Sequence, residues 1–158
     1  MTSLWIEKRT IVAMALSLLA LAQILDITIV GVALTHIMGK IGANTYEASW
    51  ILTSYIIAAA ICMPLSGIVA KKFGRKRVIL ISCAGFALCS VLCGISTSLG
   101  WIVAFRFFQG TSGAFIPSLA QGYMIDNFSE AERPGIMSMY GAATVLGPIL
   151  GPILGGVI

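Results

Sequence analysis

The chain has 158 residues, of which 58% are hydrophobic and 10% charged, and its mean hydropathy is +0.98. A water-soluble domain carries about 25% charged residues, so this composition excludes one. The net charge of +4 does not mark a nucleic-acid binder, because the basic residues gather in short clusters between long uncharged stretches, as in a polytopic helical membrane protein.

The predicted elements are five apolar helices at 10–33, 49–70, 78–96, 101–125 and 135–158. Each is near the ~20 residues that cross a hydrocarbon core, and together they predict an all-α, polytopic membrane helical bundle. Lys8 and Arg9 precede the first run as in a signal peptide. The run exceeds the ~7–15 apolar residues of such a segment, so it reads as a first transmembrane helix. The second connection holds Lys71, Lys72, Arg75, Lys76 and Arg77, and the fourth holds Arg133 among acids. Both lie on the side of the N-terminus if every span crosses. The first connection has one cation, Lys40, and the third, 97–100, has none. The positive-inside rule then puts the N-terminus in the cytoplasm. Ser129 and Glu132 have the spacing of a capping box at the start of the fifth helix, where Pro134 is tolerated. The chain runs out in apolar sequence at Ile158, and is expected to be cut rather than finished.

Two charges lie inside these apolar runs. Asp26 is in the first, with Gln23, Ile27 and Val30 on its helix face. A charge there costs at least ~2.5 kcal/mol on the most lenient insertion scale, which points to a proton or cation site or to a structural carboxyl bonded to a neighbouring helix. Arg106 is in the fourth, followed by Gln109, Gly110, Gly113 and Pro117 in a polar, small-residue stripe. Arginine stays charged, so Arg106 needs a counter-charge or must snorkel to the interface. At 1.5 Å per residue the two lie in the same half of the bilayer, within roughly 6 Å in depth; nothing in the sequence makes their helices neighbours. In the fifth helix Gly147, Gly151 and Gly155 form a ridge without side chains that admits another helix closely. Pro148 and Pro152 form the adjacent row and remove backbone hydrogen bonds. With Gly156 they suggest a gate or seal beyond plain packing.

These residues resemble the N-terminal part of a major facilitator superfamily transporter, most nearly the fourteen-span EmrB/QacA-type drug:proton antiporter branch. Asp26 lies in a stretch, Leu25 to Leu34, that is similar to the first-helix motif of that branch. The stretch Gly67 to Arg77, with Gly74, Arg75 and Lys76, resembles the loop motif between helices two and three. Arg106 to Gly110 resembles the fourth-helix motif, and Gly147 to Gly156 the antiporter motif of helix five. Lys71 stands where the loop motif usually has an acid, and Gly31 and Thr35 replace a frequent Asn and Pro.

The resemblance implies five of the six helices of a first half, with the second half absent. It implies proton-coupled multidrug efflux across the bacterial inner membrane, by alternating access at a site between repeats. Asp26 and Arg106 are the expected coupling residues, and Gln23, Gln109, Gly110 and Gly113 the expected cavity lining. The implied partners are the lipid bilayer, protons, a small lipophilic substrate, the missing C-terminal half and a periplasmic adaptor protein. A metabolite transporter of the same fold and a non-transporting truncated membrane protein are the alternatives. No nucleophile–base pair, phosphate loop or metal cluster suggests an enzyme, and neither cofactor nor metal is expected. The four cysteines lie in apolar runs and read as packing residues. The single histidine, His36, reads as interfacial.

Overall fold

The computed structural model describes residues 2–156. They form α1 (Thr2–Ile41), α2 (Thr45–Cys62), α3 (Ser66–Phe73), α4 (Arg75–Ile95), α5 (Leu99–Asn127) and α6 (Arg133–Gly155). The last two residues of the expected 135–158 helix lie outside the described residues. A turn of 3₁₀-helix, Met63–Leu65, joins α2 to α3, where Pro64 removes a backbone donor. The second span is therefore one interrupted helix from Thr45 to Phe73.

The connections are shorter than hydropathy predicts, because polar residues continue the helices beyond their apolar parts. Lys71 and Lys72 form the last turn of α3, where cations suit the helix dipole. Gly74 alone links α3 to α4, at φ 86° and ψ 130°, a conformation open to glycine but strained for other residues. At the start of α2, Asn44 accepts from the Glu47 backbone and the Glu47 carboxylate accepts from the Asn44 backbone, a complete capping box. The box expected from Ser129 and Glu132 is not formed. There the Glu132 carboxylate accepts from both the N–H and the hydroxyl of Ser129, while the Ser129 side chain accepts nothing from Glu132. The turn ahead of α6 tightens, so Glu132 itself becomes the residue preceding the helix.

Among the described residues, four spans are long and apolar enough to cross a membrane: Lys8–Gly39, Thr45–Phe73, Arg75–Ile95 and Arg133–Gly155. The fifth helix, α5, is long but too polar to qualify by composition. The packing explains this difference from the expected 101–125 span. α5 lies inside the bundle, along α2 and α4 and across α1, so its polar face meets protein rather than lipid. Its Arg106, Gln109, Gly110 and Gly113 are all buried.

Lipid removes most of the hydrophobic drive between helices, so close approach of small residues matters more. A Cβ on Gly110 would overlap the Tyr55 carbonyl, so α2 rests on the α5 backbone. Along the second major contact, α1 with α6, Ile24, Thr28 and Val32 sit against Gly147, Gly151 and Gly155. Both sets are spaced four residues apart, so one ridge seats on the other. Pro148 and Pro152, in the adjacent row, are exposed. A cluster of Ala13, Leu16, Ala20, Ala120, Met124, Phe128 and Tyr140 closes the end of the bundle that carries Lys8 and Arg9.

Candidate functional site: a buried ion pair within a polar layer

The two intramembrane charges meet. Arg106 Nη1 donates to Asp26 Oδ2 at 2.6 Å, and the side chains are only 5% and 15% exposed. The pair joins α1 to α5. The other carboxylate oxygen, Oδ1, accepts from the Ser90 hydroxyl of α4 at 3.4 Å, so three helices converge on one carboxyl group. One turn before Asp26, Gln23 Nε2 donates to the Tyr55 hydroxyl of α2 at 3.0 Å.

The glycines of α5 make this layer possible. A Cβ on Gly113 would lie 2.8 Å from Tyr55 Oη and 3.1 Å from Gln23 Nε2, so only glycine leaves room for that hydrogen bond. Gly110 thus meets Tyr55 and Ala58 of α2, and Gly113 meets Tyr55, Gln23 and Phe86; a cavity of about 400 Å³ lies beside Arg106. That cavity is lined by Arg106 and Ile102 of α5, Cys93 to Thr97 at the end of α4, and apolar residues of α1 and α2. Gln109 is fully buried, and its amide finds no protein partner among the described residues.

At the opposite end of the bundle, surface charges tie the helix ends together. Arg75 Nη2 donates to Asp126 Oδ2 at 2.6 Å, holding the start of α4 to the end of α5. This explains why a cation is tolerated in the first turn of α4. Lys71, Lys76 and Gly67 are exposed. Arg9 pairs with Glu132, donates to the Asn127 carbonyl at 2.9 Å, and lies over the Phe128 ring at 4.9 Å. The Ser129 hydroxyl, the Ser129 N–H and the Arg9 guanidinium hold the Glu132 carboxyl below its usual range. From the sequence Arg9 is legible only as a topology signal, and Ser90 carries no signal. Both act through contacts more than sixty residues away in the chain, which local pattern cannot reveal.

Residues 16–158 match the Major Facilitator Superfamily. The chain is 39% identical over 149 residues to the multidrug export protein EmrB of Escherichia coli K12, covering 94% of this chain and 29% of that protein. It is 38% identical over 148 residues to the fatty acid resistance protein FarB of Neisseria gonorrhoeae, covering 93% of this chain and 29% of that one. The chain thus spans under a third of the length of these relatives. Among solved structures, a bacterial homologue of the human lysosomal transporter Spinster, inward-facing and unoccupied, superposes with a TM-score of 0.82 at 21% identity. That match covers 94% of this chain and 31% of that one, and bears on the fold. The helical bundle, its buried Asp26–Arg106 pair and the match over residues 16–158 lead to one assignment: the chain belongs to the major facilitator superfamily, a family of membrane transporters and not of enzymes.

Proposed function

We propose that this chain forms the first helices of a proton-coupled exporter of small lipophilic compounds. In this reading Asp26 carries the coupling proton and Arg106 is its counter-charge. The observation that carries the reading is the buried ion pair linking α1 to α5. A proton on Asp26 neutralises the carboxylate and leaves Arg106, which cannot release its own proton, without a compensating charge. Breaking a buried pair in this way costs about 3–5 kcal/mol. That cost is enough to drive α1 and α5 toward a different arrangement, the kind of two-state change alternating access needs. The names of the relatives, which include multidrug export and fatty acid resistance proteins, support a lipophilic substrate. The second half of such a transporter and a periplasmic adaptor are the partners this reading calls for. The clustering of Arg9, Lys71, Lys72, Arg75, Lys76 and Arg77 at one end supports a cytoplasmic N-terminus in the cell membrane.

The test uses the complete transporter that contains this segment, reconstituted into vesicles with a membrane-permeant fluorescent dye and an imposed pH gradient. Asp26→Asn abolishes proton-driven dye movement, Arg106→Ala does the same, and Arg106→Lys retains part of it. Unchanged proton-driven transport by Asp26→Asn refutes the coupling role.

A further inference from the structure

We propose that Ser90 is a positioning residue for Asp26, holding the carboxylate oxygen that Arg106 leaves free and thereby fixing which oxygen takes the proton. This rests on the reading of Asp26 as a proton carrier. The two carboxylate oxygens are not equivalent. Oδ2 faces the Arg106 guanidinium at 2.6 Å, while Oδ1 faces the Ser90 hydroxyl at 3.4 Å. A proton added to Oδ2 would have to displace the guanidinium first, whereas Oδ1 can take the proton while Arg106 is still in place, and the pair then loses its charge attraction and is free to part. Oδ1 is therefore the accepting oxygen, and Ser90 is the hydroxyl beside it.

A hydroxyl suits the task because it has one donor and two acceptor lone pairs. It donates to the charged carboxylate, and by rotating it accepts from the protonated acid, so the contact survives both states. The direction of the Ser90 side chain is itself informative. Ser17, Ser54, Ser96 and Thr144 each turn back onto a carbonyl of their own helix three or four residues earlier, the usual resting place of a hydroxyl in a helix. Ser90 instead crosses from α4 to α1. Five residues earlier α4 approaches α5 closely, where a Cβ on Gly85 would lie 2.7 Å from Ser112 Oγ. One turn later, Cys93 lines the same cavity as Arg106, so Ser90 stands beside the cavity wall.

Among the described residues, the titratable and charged groups that face the carboxyl are Arg106 from α5, Tyr55 from α2 and the thiol of Cys93 from α4. From α6, the residues packed on α1 beside Asp26 are Gly147 and Gly151, which bring no titratable group. Ser90 is the hydroxyl in that shell that reaches the carboxylate itself.

The test reads the protonation of Asp26 directly, without a substrate. The complete transporter in lipid nanodiscs is treated with dicyclohexylcarbodiimide, which modifies protonated carboxyl groups, across a pH series. Labelling at Asp26 is quantified by mass spectrometry. Ser90→Ala and Ser90→Val displace the midpoint of the labelling profile by about half a pH unit or more, roughly a threefold change in rate at fixed pH on its slope. Ser90→Thr, which keeps the hydroxyl, follows the parent profile. A melting curve for each variant identifies any that is simply misfolded, and Ser90→Thr and Ser90→Val, nearly equal in shape, separate hydroxyl from volume. The proposal is overturned if Ser90→Ala superimposes on the parent, if Ser90→Thr is displaced as far as Ser90→Val, or if Asp26 in the parent is not labelled at any pH. Transport unaffected by Asp26→Asn overturns the coupling reading instead, and is a separate result from the labelling profile.

Discussion

Removing the two members of the buried pair one at a time separates the charge of Asp26 from its shape. Asp26→Asn keeps the outline of the side chain but leaves the Arg106 guanidinium, 5% exposed, without a counter-charge. Arg106→Met keeps much of the stem and leaves Asp26, 15% exposed, without its cation. At the observed 2.6 Å, Coulomb attraction with an effective dielectric constant of about 20 is roughly 6 kcal/mol, much of it offset by desolvation. The expected net loss is about 3–5 kcal/mol for a single removal. The two singles should not be equal. Asp26 can take up a proton and become neutral, whereas Arg106 cannot lose one, so Asp26→Asn is the more damaging change. The double variant Asp26→Asn/Arg106→Met has no unpaired charge and should recover about 2 kcal/mol or more relative to the sum of the singles. The assay is a double-mutant cycle on the complete transporter in detergent, followed by thermal or denaturant unfolding. Additivity within about 0.5 kcal/mol would refute the view that the pair is energetically coupled.

Three further outcomes follow from the packing. Gly151→Ala places a methyl group into the Thr28 side chain and should destabilise by about 1–3 kcal/mol; Thr28→Ala added to it restores part of the loss in the same melting assay, while Gly31→Ala, which meets open space, costs nothing. Gly74→Ala forces a side chain onto φ 86° and should lower stability by about 1–3 kcal/mol, read as a lower melting temperature. Because the folded pKa of Glu132 is depressed, first by the Ser129 hydroxyl, its contribution is present above the ordinary carboxyl value of about 4.3 and is lost as pH falls through the lowered value. The melting-temperature gap between the parent and Glu132→Gln should therefore be open at neutral pH and close in acid, and Ser129→Ala should move that closing to higher pH.

Much of the architecture is legible from hydropathy, because a bilayer demands runs of about 20 apolar residues and these runs are conspicuous at 58% hydrophobic content. The cost of charge in hydrocarbon also singled out Asp26 and Arg106 before any helix was placed. Helix ends were less legible. Asn44 and Glu47 carry the same spacing as Ser129 and Glu132, yet only the first pair closes a capping box, because the turn before α6 directs the Glu132 carboxylate toward Ser129 and Arg9. The glycine stripe of α5 was visible as a stripe. What packs on it was not, since a stripe of small residues does not name its neighbour; Gly110 and Gly113 leave room for α2 and the Gln23–Tyr55 bond.

Composition and periodicity alone settle that the chain is a bundle of membrane helices with two expensive charges at similar depth, since both follow from the local cost of placing residues in lipid. Only the tertiary structure decides that those charges touch, that Ser90 from a third helix faces the remaining oxygen, and that the polar face of α5 is tolerated because other helices cover it. The physical reason is that helix adjacency is a property of matched surfaces, such as Ile24, Thr28 and Val32 against Gly147, Gly151 and Gly155. A surface match exists only between two helices, and no single run of sequence contains it.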